Sequence, residues 1–466
     1  MKRTLKTLSV LLALCLSVGV MSGCSKTQQA GEGKIKIKIG EWPDKNVAAQ
    51  EYNRWYERKL AFEAIYPEIE IEPDTYIFGV DTFMIKASAN QLPNLYRVPF
   101  TEPSKIIKNK FALDITDALD EFGWTPYMNE DLKSIVSDES GRIYGIPYEA
   151  YAQGLFINKK IFREAGLVNG DGSIMIPKTF GEMREYAKIV TQKTGKNGYI
   201  IPTIDNCGGW HFMNIAWNFG TNFMEQIDDG TWKATFNTQS AKDALQYIKD
   251  LRWIDKTISS DSTINLDDFR RMFATGQVAM GFFDPPAEYL VTTYGMSKDD
   301  IFVASIPEGP AGRFSQMGGS TYMVSRDTTP EQLDAIIKWI DFLGRGPKVG
   351  EEQLKNLEAD CQTTIEEGGI VLDREAFMLW LDEESNEKKE EIRRKYCNID
   401  PEDFEHYYTF EGVKIKPEEP ISCQQLYAVL DNCLQEVITN ENADVDKLIE
   451  NACNDFQVNH LDKENK

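Results

Sequence analysis

Residues 145–158, GIPYEAYAQGLFIN, place polar side chains between two apolar runs. The polar group consists of Tyr148, Glu149, Tyr151 and Gln153. A carboxylate accepts hydrogen bonds from hydroxyl groups, and aromatic rings stack on the apolar faces of pyranose sugars. The pattern therefore marks Glu149 and Tyr151 as candidates for contact with a ligand. A solvated connecting segment is the alternative.

Further candidates for ligand contact lie at the ends of predicted strands. In open parallel sheets, ligands bind beyond the carboxyl ends of the strands. An acid and an indole follow the first predicted strand, an amide and an indole follow another, and an aromatic residue and an acid end a third. A glycine pair before a serine offers backbone and side-chain donors. These candidates are Glu41, Trp42, Asn206, Trp210, Phe283, Asp284 and Ser320. Packing in a core is the alternative for Trp42.

The sequence offers little material for histidine chemistry. Its three histidines, His211, His406 and His460, are far apart. A histidine metal cluster or a Ser-His-Asp triad is therefore not predicted. A carboxylate pair for glycoside hydrolysis stays open, because 74 acidic residues offer many pairs. We predict a binding protein without a cofactor, and a surface glycan hydrolase is the less favoured alternative.

Hydrophobic periodicity predicts the elements that position these residues. Residues 34–40 alternate as a half-buried strand does, residues 48–65 are helical, and residues 69–73 form a second strand. Strand, helix and strand at this spacing make a βαβ unit with a parallel sheet. The fold class is therefore α/β. A chain of 466 residues is too long for one compact core, so two or three lobes are expected.

Later segments carry helix and loop signals. Thr179 starts one predicted helix, and Thr329 with Gln332 forms a capping-box pattern for another. Residues 306–320 are rich in proline and glycine and are predicted to form a loop. The charged run at 382–395 predicts a solvated helix.

Several segments together resemble the family 1 extracellular solute-binding proteins, which are the substrate-capturing lipoproteins of carbohydrate ABC importers. GRIYGIPYEAYAQGLFINKKIFREAGL, at 141–167, is similar to the family pattern GK-x-YG-x-P…YNK-x-F-x-x-AG. Four further segments follow in the family's order, at residues 62–72, 176–202, 273–285 and 306–325. The resemblance extends over residues 34–345 and is weaker from 346 to 466.

The resemblance implies a two-lobed, periplasmic-binding-protein-like fold of type II, with the ligand in the cleft between the lobes. Lobe 1 is expected to comprise residues 34–148 and 285–328. Lobe 2 is expected to comprise residues 149–284 and 329–466, including a C-terminal helical region. In this arrangement GIPY ends a strand of lobe 1, GLFIN begins a strand of lobe 2, and YEAYAQ crosses between them.

The resemblance also implies a function. The protein would capture a sugar or oligosaccharide and deliver it to the permease subunits of an ABC transporter. One alternative is the same fold binding a peptide or a cationic metabolite. A sensing or scaffolding surface lipoprotein is the other.

The first residues predict export. Residues 1–23 combine three basic residues with an apolar run that is too short for a stable membrane span, which is typical of a secretory signal. Met21-Ser22-Gly23-Cys24 resembles a bacterial lipobox, so we expect cleavage before Cys24 and lipidation of its thiol. Residues 24–33 would then be a flexible tether to the outer face of the cell membrane. Ordinary signal cleavage near Gly23 is the alternative.

The net charge limits the partners. A formal charge of −23 argues against nucleic-acid binding, because contact with a phosphate backbone needs a basic surface. Disulfides are permitted in an exported protein, but the sequence leaves pairing and free thiols equally open. The cysteines concerned are Cys207, Cys361, Cys397, Cys423, Cys433 and Cys453.

Overall fold

A computed structural model describes residues 33–465 except residues 81, 229, 376, 410 and 411. The strands are β1 (Ile35–Ile39), β2 (Ile69–Pro73), β3 (Leu95–Pro99), β4 (Gly145–Ala152), β5 (Gly154–Asn158), β6 (Asn197–Tyr199), β7 (Met224–Gln226), β8 (Trp232–Ala234), β9 (Val278–Phe283), β10 (Ile301–Ala304), β11 (Phe314–Val324) and β12 (Lys414–Pro417). The predicted signal, Cys24 and most of the predicted tether lie outside the described residues.

The helices complete the element order. They are α1 (Ala49–Ile65), α2 (Phe83–Ser88), α3 (Pro103–Lys108), α4 (Thr116–Glu121), α5 (Glu130–Ile135), α6 (Lys159–Ala165), α7 (Phe180–Thr194), α8 (Cys207–Phe219), α9 (Gln239–Trp253), α10 (Leu266–Ala274), α11 (Tyr289–Thr292), α12 (Pro330–Phe342), α13 (Glu351–Glu366), α14 (Glu383–Tyr396), α15 (Glu402–Tyr408), α16 (Cys423–Thr439), α17 (Val445–Phe456) and α18 (Asp462–Glu464).

The first lobe is built on a mixed sheet of order β12-β11-β3-β1-β2, with β4 paired to β11. β1 and β2 pair in parallel across α1, which confirms the predicted βαβ unit. Side chains of α1 and α12 pack with β1 and β2 in one core. Side chains of α2 and α3 pack with β3 in a second core. Both faces of the sheet are therefore covered, as expected for parallel strands.

The second lobe is built on a sheet of order β10-β5-β9-β6. One core joins β5 and β9 to α6, α7, α8, α9, α16 and α17. Another core joins β9 and β10 to α10, α11 and α15. The C-terminal helices α16 and α17 are thus part of the second lobe, as predicted for that region.

The chain passes from the first sheet to the second at Gln153, the single residue between β4 and β5. Ser315 Oγ, at the start of β11, donates to the carbonyl of Gln153 at 2.7 Å. GLFIN forms β5, a strand of the second sheet. YEAYA is a paired part of β4 rather than a free connection, because β11 lies beside it.

Two of the expected lobe boundaries are wrong. β10 pairs antiparallel with β5, so this strand belongs to the second lobe although it lies within 285–328. α12 packs on β1 through Ile336 and Ile340, so it belongs to the first lobe although it lies within 329–466. Strand pairing and helix docking join distant segments, and the local pattern does not specify their partners.

The loop predicted for 306–320 is only partly correct, because β11 begins at Phe314. Two of the glycines that suggested a loop, Gly318 and Gly319, lie inside this strand. A Cβ on Gly318 would lie 2.6 Å from the ring of Tyr151. A Cβ on Gly319, whose φ is +152°, would lie 2.3 Å from the carbonyl oxygen of Glu149. These glycines permit the close approach of β4 to β11.

The six cysteines after Cys24 are free thiols in the structure. The charged run forms α14 as predicted, and its ion pairs include Lys388 with Glu384 at 2.6 Å. The expectation of a wholly solvated helix is wrong, because Ser385 and Lys389 are buried.

The capping box predicted for α12 is present. The Thr329 hydroxyl accepts from the backbone N–H of Gln332, and the Gln332 side chain accepts from the backbone N–H of Thr329. We expect Thr329→Ala to lower the free energy of unfolding by about 1 kcal/mol, because the helix start loses this acceptor. Urea denaturation measures the effect. Thr329→Ser keeps the hydroxyl and should stay close to the unsubstituted protein; equal losses for both would contradict the capping role.

Candidate ligand site

A cavity of about 630 Å³ lies between the two lobes. One side is formed by residues 148–151 of β4. Residues 284–286, which follow β9 of the second lobe, form another side. The rest comes from α1 and from residues between Phe342 and Arg393. Three sequence-predicted residues line this cavity, namely Glu149, Tyr151 and Asp284.

Glu149 belongs to a charged network at the edge of the cavity. Arg97, on β3, donates to Glu149 at 3.1 Å and pairs with Glu41 at 2.5 Å. Ser320 Oγ donates to Glu149 at 2.8 Å. Burial raises the pKa of Glu41, and the neighbouring Arg97 opposes this rise. The structure thus brings Glu41, Glu149 and Ser320 together through one arginine, although their strands are far apart in sequence.

Tyr148 presents its ring to two guanidinium groups. Arg97 lies 4.4 Å from the ring centroid and Arg345 lies 3.9 Å from it. Arg345 also donates to the Tyr148 hydroxyl at 3.1 Å. Stacking of this kind fixes the ring and holds both cations in place.

Tyr151 forms the aromatic part of the cavity wall. Its ring packs edge-on against Trp210, with centroids 6.3 Å apart, and lies close to Gly318. Trp210 stands behind Tyr151 and is absent from the cavity lining. Of these two sequence-predicted aromatic residues, only Tyr151 lines the cavity.

Asp284 lies where the second lobe reaches the cavity. Burial raises the pKa of its carboxyl to about 6, and the positive charge of Arg270 opposes this rise. Arg270 itself stacks on Tyr289, 4.0 Å from the ring centroid. A carboxylate in this position can accept hydrogen bonds from ligand hydroxyl groups.

Asn206 precedes α8 and lies away from the cavity lining. Its backbone N–H donates to Asp431 at 2.7 Å, and its side chain donates to Gln424 at 3.1 Å. Gln424 in turn donates to Thr101 of the first lobe at 3.2 Å. Asn206 is therefore part of a chain of hydrogen bonds that reaches the first lobe through Gln424.

Two predicted ligand contacts are corrected by the structure. Trp42 is 2% exposed and packs against Trp55 and Trp339, with ring centroids 5.3 Å and 6.5 Å away. Phe283 is 1% exposed, and its ring lies 4.2 Å from that of Phe269. Both fill cores, because their side chains point away from the cleft at the end of their strands. β9, which Phe283 ends, lies between β5 and β6 in the second sheet.

Sequence reasoning missed the cavity wall that comes from residues after 341. This wall includes Arg345, Trp380 and Lys389. Trp380 Nε1 donates to the carbonyl of Arg345 at 2.9 Å, and its ring packs edge-on against Trp124. The charged composition of 382–395 predicts a solvated helix, whereas Lys389 on one side of α14 lines the cavity.

A family model described as bacterial extracellular solute-binding protein matches residues 61–345. The chain belongs to this family. A relative from Brucella abortus strain 2308, named a binding protein, is 23% identical over 348 residues, which cover 70% of this chain and 76% of the relative. The arabinooligosaccharide-binding protein of Halalkalibacterium halodurans is 24% identical over 202 residues, which cover 42% of each chain.

Solved structures share the fold of this solute-binding protein. UgpB from Mycobacterium tuberculosis, in complex with glycerophosphocholine, has a TM-score of 0.69 at 16% identity, covering 93% of this chain and 100% of that chain. The maltose-bound MalE3 protein of T. maritima has a TM-score of 0.66 at 20% identity, covering 91% and 99%. The predicted two-lobed α/β fold is therefore confirmed.

Within residues 33–465, apart from the gaps stated above, no helix has the length and apolarity needed to cross a bilayer. The same residues contain no cluster of three or more histidine, cysteine or acidic side chains suited to a metal ion.

Proposed function

We propose that this solute-binding protein captures a sugar or oligosaccharide in the cavity between its lobes and delivers it to the permease of an ABC transporter. The observation that carries the proposal is the combination of Tyr151, Glu149 and Asp284 on one cavity that both lobes line. An aromatic ring can stack on a pyranose, and the two carboxylates can accept from its hydroxyl groups.

The position of the cavity supports a capture mechanism. Residues 148–151 belong to the first sheet, whereas Asp284 follows a strand of the second. A ligand that touches both gains its full set of contacts only when the lobes are together. Ligand binding would therefore favour the closed form, which the permease could distinguish from the open form. No chemical step is required.

The proposed location is the outer face of the cell membrane. The basic and apolar residues before Cys24 and the lipobox-like residues around it support export and lipidation. Metabolic labelling with a palmitate analogue tests this part, and Cys24→Ala should abolish the label.

Thermal-shift measurements on residues 25–466 test the ligand class. The panel comprises monosaccharides, oligosaccharides, amino acids, short peptides and polyamines. A ligand that binds only the native state raises the melting temperature by mass action. A shift with a saccharide supports the proposal, whereas a shift only with peptides or polyamines would replace the ligand class. Turnover of a bound oligosaccharide would favour the hydrolase.

Tyr151→Ala is expected to weaken binding of the selected saccharide by about tenfold, because the stacking ring is lost. Isothermal titration calorimetry measures the affinity. Tyr56→Ala is the matched control, since Tyr56 is 41% exposed on α1 and absent from the cavity lining. An unchanged affinity in folded Tyr151→Ala protein would place the ligand elsewhere.

A further inference from the structure

The wall between Phe342 and Arg393 lies almost wholly beyond residues 61–345, which match the family model. The wall therefore carries lining residues that the family pattern does not specify. Arg58 on α1 pairs with Asp360 on α13 at 2.6 Å, which fixes this wall against the first lobe.

The charge of the cavity differs from that of the whole chain. The chain has 51 lysines and arginines against 74 acidic residues. The cavity lining has five basic residues, namely Arg58, Arg345, Arg374, Lys389 and Arg393, against four acidic residues, namely Glu149, Asp284, Asp360 and Glu375. Basic residues are thus concentrated on this wall of an otherwise acidic protein.

Most of these lining cations already have carboxylate partners. Arg58 pairs with Asp360, Arg393 lies 3.4 Å from Glu375, and Arg374 lies 2.8 Å from Asp373. Their charge is therefore largely compensated inside the protein.

Lys389 and Arg345 differ from these three lining cations in their partners. Lys389 is 8% exposed, and among the described residues no carboxylate lies within 4.0 Å of its Nζ and no hydrogen-bond acceptor is assigned to it. Arg345 donates only to Tyr148 and also has no carboxylate partner in the described part of the chain. A cationic group that lines the cavity without a carboxylate partner has an uncompensated charge, and an anionic group of a ligand could form a charge-assisted hydrogen bond with it.

We propose that the cavity is specific for an acidic saccharide, whose carboxylate or sulfate group is bound by Lys389 and Arg345. This inference rests on the proposed function and names the ligand class of that same site. Tyr151 and the carboxylates of Glu149 and Asp284 then serve the ring and hydroxyl groups at the other side of the cavity. The cavity thus has a cationic side, with Arg345 at the end of the family-matching range and Lys389 beyond it, and a polar aromatic side with Tyr151.

Calorimetry with matched ligand pairs tests the proposal. The pairs are galacturonic acid and galactose oligomers, glucuronic acid and glucose oligomers, and a sulfated disaccharide with its unsulfated form. We expect the acidic member of one pair to bind at least about tenfold more tightly than the neutral member, since a hydrogen bond between charged groups is worth this factor or more. The uronate and sulfate arms distinguish the two sources of the anion.

Lys389→Met is expected to weaken binding of that acidic saccharide by about ten- to a hundredfold and to reduce its preference over the neutral member accordingly. Lys388→Met is the matched control, because Lys388 lies on the same helix, is exposed and is already paired with Glu384. Lys389→Arg keeps the charge and should retain most of the affinity, which separates loss of charge from a folding defect. The melting temperature without ligand should not fall in Lys389→Met, since an uncompensated charge is removed.

Three results would contradict different parts of this proposal. Equal binding of acidic and neutral partners, with no effect of Lys389→Met, would refute the anion site and leave saccharide capture intact. Absence of binding by every saccharide would refute the proposed function itself. A fall in melting temperature in Lys389→Met, without a change in affinity, would assign Lys389 a structural role only.

Discussion

Replacing Trp42 by alanine should lower the free energy of unfolding by about 3–5 kcal/mol, because a large buried side chain is lost and a cavity remains. Trp42 is 2% exposed and stands between Trp55 and Trp339 in the core of the first lobe. Binding of the ligand to the folded variant should persist, since Trp42 is absent from the cavity lining. Urea denaturation gives the stability, and calorimetry gives the affinity.

The two measurements distinguish a core position of Trp42, which the structure shows, from the ligand contact that the sequence predicts. Trp42→Phe keeps an aromatic ring in the core and should lose much less stability than Trp42→Ala. Normal stability of Trp42→Ala together with lost ligand binding would support the contact that the sequence predicted, and the core position would then be wrong.

Glu418→Gln should flatten the dependence of stability on pH. Burial raises the pKa of the Glu418 carboxyl to about 7, while hydrogen bonds from Tyr427 and Trp210 oppose the rise. The unfolded chain releases this proton at lower pH than the folded protein, so the folded protein loses stability as pH rises from about 4.5 to 7. The loss from this group is about 3 kcal/mol. The amide cannot ionise, and its oxygen can still accept from Tyr427, which lies 2.6 Å from Glu418.

Two other carboxyl groups act in the same direction. Burial raises the pKa of Asp284 and of Asp431 to about 6. A hydrogen bond from Ser140 lowers the pKa of Asp138, and one from Ser385 lowers the pKa of Asp382. These two carboxyl groups therefore add stability as pH rises, but only at pH values below the ordinary pKa of an aspartate. These carboxyl groups lower the stability between about pH 4.5 and 7, whereas burial lowers the pKa of His211 to about 4, so this histidine adds stability over part of the same range. The contribution of Glu418 is therefore the difference between Glu418→Gln and the unsubstituted protein at each pH.

Thermal denaturation at pH 4, 5, 6, 7 and 8 measures the pH effect. Glu418→Gln should match the unsubstituted protein at pH 4 and exceed its stability at pH 8. Glu441→Gln removes the same formal charge from an exposed loop position and serves as the control. Parallel pH profiles for Glu418→Gln and the unsubstituted protein would contradict a buried, titrating Glu418.

The local sequence determined the elements and much of the family assignment. β1, α1 and β2 follow from alternating and amphipathic periodicity, and the parallel pairing of β1 with β2 follows from their spacing. The α12 cap follows from Thr329 and Gln332. The passage between the lobes at residues 148–154 follows from a family pattern that the sequence shows directly. Glu149, Tyr151 and Asp284, which the sequence predicts as ligand contacts, line the cavity, and their contact with a ligand stays a prediction.

The tertiary structure alone decided which aromatic and charged side chains face the ligand cavity. Trp42 and Trp380 are both buried indoles, yet only Trp380 lines the cavity. Lys389 lies in a charged run that is typical of a solvated helix, but the packing of α14 buries this residue. Periodicity specifies that a side chain belongs to a face, but the partner of that face is set by contacts between segments far apart in sequence. Residues after 345 form one wall of the cavity only through their packing against the lobes, and the sequence pattern does not specify this packing.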